Sequence, residues 1–314
     1  MSLEATLNRA LSIRLNLQIT LSRLPIVEEW MDIHLDRWLE HVPTPPEMPM
    51  GQMVSYLAML GSDLKRMWWG AWGDPAGMVP KLADYLKLCN IAKSDAAILD
   101  AMGEKLEPRL VGSWVGVWGG RVTTGWHFWD PKEWDRVEPL FGTHEAKFKL
   151  KKWVTDQGIT RVERVSQSIG DDAYTEIELA DPGADVETQV RNVDAAFVHF
   201  TGGGLPPTVL ETLRGAPHPS FGLSVRVRSG QITRVAAIAP GMPFELLRGL
   251  CKDMNAVYDE GLEGLVNMLA VEGVSRVEIG RAGERGGVDV YVEPTESARK
   301  PTPGAPAAPP SQAN

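Results

Sequence analysis

A chain of 314 residues, 43% hydrophobic and 23% charged, has enough apolar material for one large domain or two ordinary ones. Its formal net charge of −9 argues against a surface built to neutralise nucleic-acid phosphates or to adhere to anionic lipid. A protein partner or a small molecule is the ligand class that remains.

No stretch approaches the roughly 20 apolar residues of a membrane span, and the first residues, with Glu4 and Asn8, lack the apolar run of a signal peptide. A cytoplasmic location is expected. Cys89 and Cys251 each fall among apolar neighbours inside a predicted helix, as free buried thiols of a reducing compartment do.

In chain order, Ser12 to Ser22 alternates Ile13, Leu15, Leu17, Ile19 and Leu21 with polar residues, the pattern of a half-buried strand. Val27 to Val42 has helical spacing, with Glu28, Asp32, Asp36 and Glu40 along one solvated face. The prolines between 43 and 49 end it. Met53, Leu57, Leu60, Leu64 and Trp68 keep a period of 3.6, which predicts a methionine-rich helix over Gly51 to Trp69. Shorter helices are predicted near Val79–Cys89 and Lys93–Lys105, with Ser94 capping the second.

Leu110 to Trp129 reads as two strands around a Gly119–Gly120 turn, closed by Asp130–Pro131, with a helix beginning at Lys132. The punctuation then recurs. Hairpins at 159–179, 221–238 and 276–293 each follow helical segments and end at Pro182, Pro240 and Pro294. The expected fold is α+β: antiparallel hairpins alternate with helix pairs in ααββ-like repeats, giving one sheet or barrel with helices on its outer face. In this reading residues 1–106 are mainly helical with one strand near 12–22. Residues 107–294 form the repeated region packed with them as one domain. The Pro/Ala-rich tail 295–314 is too poor in apolar bulk to order itself.

The hairpins are two-sided. Val277, Ile279, Val288, Val290 and Val292 alternate with Arg276, Glu278, Asp289, Tyr291 and Glu293. Likewise Leu223, Val225 and Val227 alternate with Ser224, Arg226 and Arg228, and Ile177 and Leu179 with Tyr174, Glu176 and Glu178. One face is therefore helix-covered and the other is read as a solvated, ion-paired surface. All the tryptophans stand at or before Trp153, so the front of the chain carries the aromatic load, chiefly as core.

Chemistry-bearing motifs are missing. There is no P-loop, GxGxxG, CxxC, HExxH or GxSxG, and no cofactor or metal site is expected. Thr201–Gly204 reads as a flexible connection. The catalytic candidates are Glu176 and Glu278, carboxylates on the polar face, and His127, a titratable ring on the Trp hairpin. The ligand- or partner-binding candidates are Trp114, Trp118 and Trp126, with Arg226, Arg228, Arg276 and Tyr291 on the charged face.

The order of elements, the unit size and the one-sided polar sheet over roughly residues 80–294 resemble the aromatic prenyltransferases, whose repeated ααββ units close into a barrel. That resemblance implies external helices and a polar lumen for an isoprenoid diphosphate and an aromatic acceptor. Arg226, Arg228 and Arg276 would hold the anion, the tryptophans would shield a carbocation, and Glu176 or Glu278 would be the base. No motif of the family is present, and the Lys, Arg and Tyr expected around a diphosphate are few. The first expectation for function is accordingly a non-catalytic binding or regulatory protein that uses the polar face and the Trp-rich front half. The alternative is a cofactor-independent transferase in a closed barrel.

Overall fold

The computed structural model describes residues 55–61, 66–73, 97–106, 111–118, 121–141, 144–169, 173–216, 221–258, 260, 262–263, 274, 276–283 and 285–292. The strand expected near 12–22, the helices expected over 27–42 and 79–89, Ser94, Cys89 and the tail from 295 lie outside the described residues.

Five antiparallel hairpins carry the architecture. They are β1 (Ser55–Gly61) with β2 (Arg66–Gly73), β3 (Val111–Trp118) with β4 (Arg121–Glu133), β5 (Arg161–Ile169) with β6 (Tyr174–Ala180), β7 (Gly222–Arg228) with β8 (Gln231–Pro240), and β9 (Arg276–Ala282) with β10 (Arg285–Val292). Each strand pairs with its sequence neighbours. β1 also meets β10, Leu60 opposite Val292 and Gly61 opposite Tyr291, which closes the ten strands into a barrel.

Six α-helices are found among the described residues: α1 (Ala97–Lys105), α2 (Trp134–Val137), α3 (Glu145–Gln157), α4 (Val186–Thr201), α5 (Pro207–Arg214) and α6 (Phe244–Asp253). None of the described helices is long and apolar enough to cross a membrane.

Local chemistry explains the elements. Asp185 caps α4 by accepting from Thr188 N at 2.7 Å, and Gly202, at φ +78°, ends it in the left-handed conformation glycine adopts freely. Within α4, Val190, Val193 and Phe197 recur at helical spacing and are all buried. They pack on the outward residues of the strands, among them Val225, Val235, Ala237, Val277 and Ile279. Each such apolar side chain taken from water contributes on the order of 1.5–3 kcal/mol. The β7–β8 turn has Ser229 and Gly230 both at positive φ, as a tight hairpin with the right twist requires.

Two sequence expectations are corrected. Gly51 to Trp69 does not hold a helix: β1 and β2 occupy Ser55–Gly61 and Arg66–Gly73. The apolar run there satisfies both periods, and pairing of β2 with β3 and of β1 with β10 decides for strand. The hairpin of the Trp-rich segment also runs past Asp130–Pro131. β4 continues to Glu133, and its pairing with β5 shifts register between His127 and Lys132.

Candidate functional site in the barrel lumen

Closure turns the polar strand faces toward one another. The register places His127, Arg164, Glu178, Ser224, Ala236, Gly280 and Gly287 in one row across β4 to β10. A neighbouring row holds Gly125, Ser166, Glu176, Arg226 and Arg234. Continued onto β3 and β2, these rows and the next one pair tryptophan with glycine: Trp114 with Gly125 and Gly70, Gly112 with Trp72, and Gly116 with Trp68.

The face expected to be solvated is buried. Arg164, Glu176, Glu178 and Glu278 are each no more than 5% exposed. Four arginines and four carboxylates interlock there. Arg226 donates from Nε and Nη2 to Glu176 Oε2 at 2.9 and 2.7 Å, while Ser224 Oγ donates to Glu176 Oε1 at 2.6 Å. Arg276 grips Glu178 with both Nη atoms at 3.1 and 2.9 Å and reaches Glu278 Oε1 through Nε at 3.1 Å. Arg234 bridges Glu278 at 3.1 Å and Asp289 at 2.8 Å. Arg164 Nε lies 2.9 Å from Glu178 Oε2. The formal charges of this lattice cancel, which offsets the several kcal/mol that burying each ion costs.

The lattice fixes protonation. Burial disfavours the Glu176 charge, but Arg226, Arg234 and Arg164 outweigh it and hold its carboxyl well below the usual carboxylate range. Glu278 is lowered in the same way, with Arg276 and Arg234 overcoming its burial. Burial opposes the charge of Arg226, Arg234 and Arg276 as well, and their carboxylate partners raise them above the ordinary guanidinium value. The side chains of Arg226, Arg276 and Arg234 remain 17%, 16% and 12% accessible, those of Glu176, Glu178 and Glu278 are at 5–6%, and that of Asp289 is at 24%. The carboxylates thus fix the orientation of the guanidiniums.

His127 lies at the edge of this lattice. Its Nε2 is 3.0 Å from Glu163 Oε1, with the side chains 15% and 20% exposed. Two register shifts accompany the contact: β4 slips against β5 between His127 and Lys132, and β5 slips against β6 between Val162 and Arg164, around Glu163.

The sequence candidates separate accordingly. Glu176, Glu278, Arg226 and Arg276 belong to one network, and Tyr291, 2% exposed, is in register with Arg276. Arg228 stands exposed at the turn end of β7. On β3, Trp114 is in register with Gly125 and Trp118 with Arg121. Trp126 does not: it is 1% exposed and donates from Nε1 to Leu99 O at 2.7 Å, in the core between sheet and α1.

Arg164 escaped the sequence reading because the β5 irregularity between Val162 and Arg164 changes the parity of the strand there. Arg161 pairs with Asp181 outside the lattice, at 3.2 Å. The Thr201–Gly204 segment, read as a flexible connection, is pinned. Arg281 Nη1 donates to the carbonyls of Gly203 and Gly204, and Leu205 N donates to Asp194 Oδ1.

No family model matches the chain. Over 222 residues it is 21% identical to a PH domain-containing protein of Dictyostelium discoideum, a match covering 68% of this chain and 48% of that protein. The chain thus spans about half the length of this curated relative. Among solved structures it is similar to 5-dimethylallyl tryptophan synthase from Streptomyces coelicolor in complex with DMASPP and Trp. The TM-score there is 0.54 at 9% identity, covering 95% of this chain and 96% of that one. AnaPT from Neosartorya fischeri gives a TM-score of 0.55 at 10% identity over 88% and 90% of the two chains. A 6-dimethylallyl tryptophan synthase gives 0.50 at 12% identity over 77% and 81%. These likenesses establish the fold, an ααββ barrel of the prenyltransferase type.

Proposed function

We propose that the chain is a transferase of the aromatic-prenyltransferase kind, acting on ligands held in the barrel lumen. The observation that carries this reading is the set of partly accessible, carboxylate-oriented arginines Arg226, Arg234 and Arg276 inside a closed ααββ barrel. An allylic diphosphate would enter by exchanging its oxygens for part of the carboxylate contacts on these arginines. Tryptophan, a residue type suited to shielding an allylic cation, stands in register with glycine on β2 and β3. Glu176, Glu178 and Glu278 hold the arginines.

Incubation of the full chain with dimethylallyl diphosphate and tryptophan, followed by mass spectrometry of the acceptor, is the direct test. A prenylated acceptor is the expected result. No turnover with tryptophan, tyrosine or indole as acceptor overturns the reading.

A second reading, binding without turnover, draws on one observation: the lattice is charge-balanced and is not a strongly positive trap. A barrel of this sort suits an uncharged or zwitterionic small molecule. It requires calorimetric binding of such a ligand with no conversion.

A further inference from the structure

We propose that the cavity between the end of α6 and the β9–β10 hairpin binds a small zwitterion, a molecule carrying a carboxylate and an ammonium group. The site lies apart from the ion-pair lattice and does not depend on the transferase reading.

The cavity has a volume of about 340 Å³ and is lined by Asp253, Met254, Asn255, Arg281, Arg285 and Gly286. Close packing builds its walls. Arg281 on β9 is in register with Gly286 on β10, and a Cβ on Gly286 would stand 2.3 Å from the Met254 carbonyl oxygen. Only a glycine lets the end of α6 lie this close to β10. The segment between α4 and α5 braces Arg281, whose Nη1 donates to Gly203 O at 3.2 Å and to Gly204 O at 3.1 Å. A Cβ on Gly203 would stand 2.8 Å from that nitrogen, so glycine is needed here too. The guanidinium is held in place before any ligand arrives, which lowers the cost of binding.

The charges around this cavity differ from those of the lumen, where Arg164, Arg226, Arg234 and Arg276 all rest on carboxylates. Among the described residues, Arg281 has carbonyl partners alone. Its Nε is sealed from solvent without an acceptor, while Nη2 is open and donates to nothing. Arg285, exposed at the start of β10, and Asp253, exposed at the end of α6, make no hydrogen bond or ion pair among the described residues. Opposite charges therefore line one cavity beyond ion-pair distance of each other. A ligand that bridges them satisfies both. Its carboxylate meets Arg281 Nη2 and Arg285, the pairing guanidiniums favour. Its ammonium meets Asp253, where the carbonyl end of α6 adds negative potential. A simple anion leaves Asp253 opposed to it, and a simple cation is opposed by the arginines. The cavity thus selects for both groups in one molecule.

The test is isothermal titration calorimetry of the full chain with γ-aminobutyrate, acetate and methylammonium, with Arg285→Ala and Asp253→Asn beside wild type. Both positions are exposed, so thermal unfolding should show both variants as stable as wild type. Wild type should bind γ-aminobutyrate about 10-fold or more tightly than acetate or methylammonium, since the second charged contact adds to the first. Each variant should weaken γ-aminobutyrate by about 10-fold or more, and Asp253→Asn should leave acetate binding no weaker. Binding of γ-aminobutyrate that is unchanged in both variants belongs to another place, the lumen included, and overturns the proposal. So does a wild type that takes acetate as well as γ-aminobutyrate, or that binds none of the probes.

Discussion

A Cβ placed on Gly280 would stand 2.8 Å from Nε of Arg234 and 2.9 Å from its Nη2, so the guanidinium rests where β9 has no side chain. That vacancy lets Arg234 reach Glu278 on one side and Asp289 on the other. Gly280→Ala should push the guanidinium off its partners and cost about 1–3 kcal/mol in urea unfolding, the usual range for overpacking. Ala236, Gly280's register partner on β8, already carries a methyl there, so Ala236→Ser should be far milder.

Arg276→Met is expected to be worse. It strips Glu178 of a two-pronged contact and Glu278 of one, leaving buried carboxylates short of positive charge. Loss of one side of a buried pair costs about 3–5 kcal/mol. Chemical denaturation should register this as a lower midpoint with an unchanged slope.

The depressed carboxylates set the direction of the pH dependence. Glu176 and Glu278 titrate below their unfolded value of about 4.3, so their stabilisation is fully present above that pH and fades as the pH falls toward the folded value. Each can remove up to about 1.4 kcal/mol per pH unit within that window. Thermal midpoints measured at stepped pH should hold near neutrality and drop steeply below about pH 4. A flat acid limb would contradict the ion-pair lattice.

Trp126→Phe should keep the fold and lose the bond to the Leu99 carbonyl, weakening the seam between β4 and α1. A cost of about 1–2 kcal/mol is expected, since a buried acceptor is left bare.

Much of this arrangement is legible in the residues. The alternation of Glu176 and Glu178 with Ile177 and Leu179, and of Ser224 and Arg226 with Leu223 and Val225, assigns faces correctly, because parity is a local property of a paired strand. Asp185 and Gly202 bracket α4 as caps should. Three things escape. The run from Leu57 to Trp68 fits two periods, and only its neighbours choose between them. The register slip beside Glu163 moves Arg164 into the lumen, and nothing in its immediate sequence marks the slip. Whether the charged face meets water or itself depends on Gly61 finding Tyr291 from the far end of the fold, a long-range pairing that no local pattern encodes.

That last pairing has a consequence for how the molecule comes into being. Of the described strands, β1 is made first and β10 last, yet they are neighbours in the finished ring. During synthesis every hairpin from β3 to β8 can acquire its helical coat while its charged side is still wet, and the dehydration of eight ionic groups is deferred to the final join. Assembly is therefore gated by the most distant contact in the chain, which favours slow folding. Partial chains should remain open, hydrated sheets with their coats already in place.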